Sequence, residues 1–174
     1  MQKLGKNHGR YLGQTIEIGS VLEQIATAAQ PHGWSGETIG ETGGFPIMAW
    51  HRRAKDHSQP GRRLYISAGI HGDEPAGPVA ALHLLQQNAW PPNLEVWLLP
   101  CLNPVGFTLN QRENANGVDL NRDYRTPQTT ESRAHIAWLE RQGNFDCYFC
   151  LHEDWESHGF YLYEQNPHDN SSLA

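Results

Sequence analysis

The segment LYISAGIHGDEPAG, residues 64–77, constrains this chain more than any other stretch. Residues 64–70 form a short apolar run bounded by Arg62-Arg63 and by glycines, the pattern of a buried strand. The run stops at His71-Gly72-Asp73-Glu74-Pro75, and from Ala76 the spacing of Val79, Leu82, His83 and Leu85 becomes helical. Strand, tight polar turn and helix therefore follow one another, and the turn carries one imidazole and two carboxylates. In open α/β sheets ligands bind in the crevice beyond the carboxyl ends of the strands. His71 and Glu74, three residues apart across a helix start, are able to aim at one point, and imidazole nitrogen with carboxylate oxygen is zinc chemistry. A plainer reading of the same turn is a polar loop whose Asp73 or Glu74 sits at a helix N-terminus, where negative charge is favoured. The segment alone leaves both readings open.

The rest of the chain surrounds that unit with further short elements. Residues 1–13, with three glycines, read as a loosely ordered lead-in without the apolar core of a signal peptide. Residues 15–30 carry the stripe Ile18, Val21, Leu22, Ile25 and Ala29 of an amphipathic helix. Residues 37–42 and 45–52 form a β-hairpin joined at Gly43-Gly44. After a helix over 76–87, residues 94–100 are a second buried strand, which predicts a parallel crossover. Residues 101–127 show no period but hold many specific polar side chains, which marks a functional loop. A helix over 130–142 and a third apolar strand over 146–151 follow, and FYLY at 160–163 is a last strand-like piece.

Two of the apolar strands run into histidine, Ile70 into His71 and Leu151 into His152. Were these strands parallel neighbours, both imidazoles would emerge at one sheet edge. His71, Glu74 and His152 would then supply three ligands and leave a fourth position for water, the arrangement of catalytic as opposed to structural zinc. His152 on its own reads equally as a histidine capping a strand. Arg112 and Arg122 stand in the polar loop beside Asn114 and Asn121. An arginine fork binds a carboxylate bidentately, so a zinc site with such a clamp suits hydrolysis of an amide close to a free carboxylate. Two surface arginines are the plainer alternative.

These residues bring a resemblance. His71-Gly72-Asp73-Glu74, NPVGF at 103–107, Arg112, GVDLNRDY at 117–124 and His152 resemble, in chain order, the motifs of the zinc carboxypeptidase family. The compact HGDEPAG turn is similar to the small bacterial members, among them murein-peptide amidases and the succinylglutamate desuccinylase and aspartoacylase branch. The resemblance runs from about residue 64 to residue 152. It implies that His71, Glu74 and His152 bind one zinc ion. It implies that Arg112 stabilises the oxyanion of the tetrahedral intermediate, and that Asn121 and Arg122 hold the substrate's terminal carboxylate. The partner expected is a peptide or acyl amino acid with a free carboxylate. The reaction is carboxypeptidase-type hydrolysis, with N-acyl amino acid deacylation and a non-catalytic zinc- or carboxylate-binding module as alternatives.

The chain departs from the family after His152. The family's general base is a glutamate on a late strand, and only 22 residues follow His152 here. The expectation is therefore an α/β fold, a mixed, largely parallel sheet with helices on both faces. Residues 1–174 would be the N-terminal portion of a single zinc-peptidase-like domain, weak or inactive by itself. A formal charge of −6 with no basic run argues against nucleic acid as partner. No apolar stretch approaches bilayer-spanning length, so a membrane is not expected either. Three cysteines, an odd number, point to a reducing compartment, hence the cytoplasm. Cys147 and Cys150 have CxxC spacing, but inside an apolar strand, where core packing is the expected use of both.

Overall fold

The structure is a computed structural model that describes residues 14–58, 60–154, 156–157 and 159–165. The lead-in over 1–13 lies outside the described residues. Residues 14–153 form one compact unit, and the described residues from 154 onward fall in a second.

In the first unit, helix α1 (Ile18–Ala29) is followed by a 3-10 turn and by strands β1 (Ser35–Thr42), β2 (Phe45–Arg52) and β3 (Arg62–Ser67). Helix α2 (Ala76–Gln87), strand β4 (Leu94–Leu99), the short helices α3 (Pro104–Leu109) and α4 (Leu120–Asp123), helix α5 (Thr130–Gln142) and strand β5 (Cys147–Cys150) complete it. The five strands make one mixed sheet in the order β1-β2-β4-β3-β5. The hairpin β1–β2 is antiparallel and turns at Gly43 and Gly44, both at positive φ, as a two-residue hairpin loop requires. β2 adds antiparallel to β4, while β4, β3 and β5 are parallel.

The side-chain period of two explains the layering. Ile66, Val96 and Leu98 point to one face, where α1 and α2 cover them through Ile18, Ile25, Ala81 and Leu85. Tyr65, Trp97 and Leu99 point to the other face, where α5 covers them through Trp138. β3 and β4 are thus apolar at successive positions because both of their faces are covered. Arg63 closes the second layer: its guanidinium lies 4.4 Å over the Trp97 ring and donates to the Gln142 and Asn144 carbonyls at 2.5 Å each. The bond to Gln142 satisfies a carbonyl that the end of α5 would otherwise leave unpaired.

Two expectations change. The 101–127 segment is not a continuous loop but carries α3 and α4, each too short for a periodicity to show. Residues 160–163 form no strand among the described residues. Alternation alone does not make a strand, because its N–H and C=O groups need a partner strand.

Candidate active site

The parallel pairing of β3 with β5 decides where the two histidines emerge. Ser67 is opposite Cys150 in the register, and the ladder runs on one step, with Leu151 N–H donating to the Ser67 carbonyl at 2.8 Å. Both chains leave the sheet at the same end, one toward His71 and the other directly into His152. The β3 chain first bends: the Gly69 carbonyl accepts the amides of Leu102 and Asn103 at 3.2 and 2.9 Å, which ties the exit of β3 to the exit of β4.

At this edge one ligand atom each from His71, Glu74 and His152 lies within 4.8 Å of the others. His71 Nδ1 is 2.7 Å from Glu74 Oε1, and His152 Nδ1 is 2.8 Å from Glu74 Oε2. The two imidazoles stand 4.9 Å apart between ring centroids. His71 is 1% exposed and Glu74 9%, so the cluster has a buried floor. Two nitrogens and a carboxylate converging in this way are a donor set that fits zinc. In the metal-free protein the same groups settle their charges among themselves. Burial pushes the Glu74 carboxyl up, but the hydrogen bonds from His152 and His71 outweigh it and bring it down to about 2. The hydrogen bonds of His152 with Cys150 and then with Glu74 prevail over burial and raise its imidazole to about 10.

A second layer holds the cluster. Asp119 was an unassigned loop residue in the sequence, yet its carboxylate serves three partners. Oδ1 lies 3.3 Å from His71 Nε2 and accepts the Asn121 amide at 2.9 Å, capping α4, while Oδ2 accepts from Arg112 Nε at 3.0 Å. Burial raises its pKa, but the bond and charge of Arg112 lower it more. An Asp two residues ahead of Asn121 in a helix-capping position was the available signal, and nothing in spacing alone tied it to His71. Glu153 caps the opposite wall: its carboxylate accepts the Ala76 amide at 2.9 Å, and its own amide donates to Glu74 Oε2 at 3.2 Å.

Arg112 reaches the cluster, with Nη1 3.5 Å from Glu74 Oε1. Asn103 is fully buried and explains how the loop is aimed. Its side-chain oxygen accepts the Gly106 amide at 3.0 Å to cap α3, and its amide group donates to the Ile70, Glu113 and Arg112 carbonyls at 3.1–3.4 Å. The HGDE turn and the NPVG helix touch through two glycines. A Cβ on Gly72 would stand 2.0 Å from the Gly106 carbonyl carbon, a distance no side chain tolerates. Asn121 and Arg122 are exposed on α4, and among the described residues no hydrogen bond or ion pair links the Arg122 guanidinium to the cluster.

Cys150 is not a core residue as its strand context suggested. The residue is exposed, with its sulfur 3.4 Å from His152 Nε2, because alternate positions of β5, Tyr148 and Cys150, are left uncovered. In the second unit, Asp154 accepts from the Glu156 amide, the Ser157 hydroxyl and the Tyr161 hydroxyl at 2.8–2.9 Å, so its oxygens are engaged locally.

A family model described as the succinylglutamate desuccinylase/aspartoacylase catalytic domain matches residues 60–172. The chain is 33% identical over 130 residues to carboxypeptidase SOL1 of Arabidopsis thaliana, covering 59% of this chain and 26% of that protein. It is 37% identical over 73 residues to murein peptide amidase A of Escherichia coli K12, covering 42% of this chain and 30% of that protein. It therefore spans well under half the length of these curated relatives. Among solved structures it resembles a metallo-carboxypeptidase from Burkholderia cenocepacia, with a TM-score of 0.70, 19% identity, and 82% of this chain and 42% of that chain covered. That likeness is one of fold.

Proposed function

The chain belongs to the succinylglutamate desuccinylase/aspartoacylase catalytic-domain family, and from that premise we propose that its site is a single-zinc hydrolytic centre that cleaves an amide bond next to a free carboxylate. The observation that carries this reading is the meeting of His71 Nδ1, the Glu74 carboxylate and His152 Nδ1 at the ends of two parallel neighbours, with Arg112 beside them. Zinc bound there supplies a Lewis acid that polarises a carbonyl and acidifies a water. The chain's residues do the rest. Asp119 and Glu74 hold the Arg112 guanidinium at the rim, where its donors are available to an oxygen that gains negative charge. Asn121 and Arg122, exposed on the helix that Asp119 caps, offer the amide and the fork that a terminal carboxylate requires. The names of the two curated relatives support a peptide substrate. The family model supports a second reading, an N-acyl amino acid whose acyl group is removed at the same site.

Proton transfer is the step these residues serve least well. Glu74 spends both oxygens on the imidazoles, Glu153 is bound to the Ala76 amide, and Asp154 is held by its own neighbours. A positioned general base contributes about two to four orders of magnitude. The engagement of these three carboxylates supports slow turnover by the zinc-loaded protein. The test is a panel of C-terminally free, C-terminally amidated and N-acylated substrates, assayed with zinc-loaded protein beside a longer gene product if the gene encodes one. Preference for a free carboxylate, with faster turnover by the longer chain, supports the proposal. Equal hydrolysis of free and amidated substrates would remove the carboxylate clamp, and equal rates for the two lengths would show that residues 1–174 already hold a competent base.

A further inference from the structure

Cys150 ends β5 and His152 stands two residues beyond it, where the chain continues past the strand and the two side chains meet. The backbone around the sulfur is held by the ladder, with Cys150 beside Ser67 and the Leu151 amide on the Ser67 carbonyl. The His152 ring lies between two partners: Nδ1 is 2.8 Å from Glu74 Oε2 and Nε2 is 3.4 Å from Cys150 Sγ. One nitrogen faces the donor cluster and the other faces sulfur. His71 is arranged alike with different chemistry, its Nδ1 toward Glu74 and its Nε2 toward the Asp119 carboxylate. The environments also differ. The His71 side chain is 2% exposed, whereas that of His152 is 34% exposed. Packing fixes the first ring, and the second depends more on its outer hydrogen bond.

We propose that Cys150 is the positioning residue of His152: its sulfur accepts the Nε2–H, which leaves Nδ1 as the bare nitrogen and sets the ring plane for a divalent metal ion. The inference rests on the reading of His71, Glu74 and His152 as ligands. A neutral imidazole has two tautomers, and only the one protonated on Nε2 presents a lone pair at Nδ1. Without an acceptor at Nε2, the other tautomer is favoured by an Nδ1–H donated to Glu74, and the ring competes less well for the metal. Partners of this outer kind are worth about 10- to 100-fold in metal affinity.

The test uses the full chain stripped of metal and titrated with zinc and with cobalt(II) against a chromogenic chelator. Cys150→Ala is expected to weaken both ions by about tenfold or more and to change the cobalt absorption bands. Cys150→Ser, which keeps an acceptor on a shorter reach, recovers part of the loss. Cys147→Ala, on the opposite face of the same strand, behaves as wild type. Should Cys150→Ala fail to fold, Cys150→Val, which suits a strand and lacks an acceptor, is judged by the same criterion. Wild-type affinity and an unchanged cobalt spectrum in these variants overturn the proposal. A serine variant as weak as the alanine one also overturns it, because volume and not the acceptor is then what matters. His152→Ala separates the two levels: loss of metal there sustains the ligand reading even if the Cys150 inference falls, and wild-type binding there overturns the ligand reading itself.

Discussion

At the scale of residues, the cluster is a balance between protons and metal. In the metal-free protein Glu74 is lowered from its ordinary 4.5 to about 2, and His152 is raised from 6.5 to about 10. A lowered carboxyl stabilises the fold above its unfolded value, and that contribution fades as pH falls from about 4.5 toward 2. A raised imidazole stabilises the fold below its unfolded value, and that contribution fades as pH rises from about 6.5 toward 10. Urea denaturation of the metal-free protein is thus expected to show greatest stability between about pH 4.5 and 6.5. Saturating zinc replaces the proton of His152, so it is expected to abolish the loss between about pH 7 and 9. An unchanged alkaline limb with zinc present would contradict the coupling. Asp119→Asn is the companion change. An amide cannot accept from His71 Nε2 and Arg112 together as the carboxylate does, and zinc affinity is expected to fall about 10- to 100-fold in chelator competition. For Arg122→Ala the expected effect is a higher KM for substrates with a free carboxylate and little change for amidated ones.

At the scale of elements, the site is the joint between the HGDE turn, the NPVG helix and the end of β5. Gly72→Ala would drive a methyl group into the Gly106 backbone. The turn and α3 would have to separate, and a loss of about 2 kcal/mol or more in urea denaturation is expected, together with weakened metal binding. Gly117→Ala is the control, since a Cβ there meets nothing within 4 Å and only the positive φ of 73° opposes it. Equal costs for the two variants would show that the close approach at Gly72 is not what matters. The sequence made the framework of these elements readable. The hairpin at Gly43-Gly44, the helix over 76–87 and the helix over 130–142 follow from turn residues and apolar spacing, and the structure has all three. α3 and α4 were not readable, because helices of six and four residues offer less than two turns of pattern. They exist by virtue of their caps, Asn103 and Asp119, whose partners are set by tertiary packing.

At the scale of the whole molecule, the strand order leaves β1 and β5 at the two edges of the sheet among the described residues. β5 pairs with β3 alone among the described residues, and Tyr148 on it is 60% exposed. An exposed edge with an aromatic side chain invites pairing with another chain. Light scattering of residues 1–174 is expected to show concentration-dependent association that Tyr148→Lys reduces, and identical behaviour of the two proteins would dismiss the edge as its cause. No helix among the described residues is long and apolar enough to cross a membrane.

By itself the sequence determined the secondary elements of the parallel core, the α/β class and the identity of the candidate ligands. Apolar runs, turn glycines and a histidine after a strand are local signals, and local signals survive in one dimension. Tertiary structure alone decided the strand order that places β5 beside β3, and with it the meeting of His71 and His152. It also decided that the Asp119 carboxylate would face the His71 ring. The reason is physical: a hydrogen bond to an imidazole requires an atom within about 3.5 Å, and residues 48 positions apart along the chain meet at that distance only after the sheet has formed.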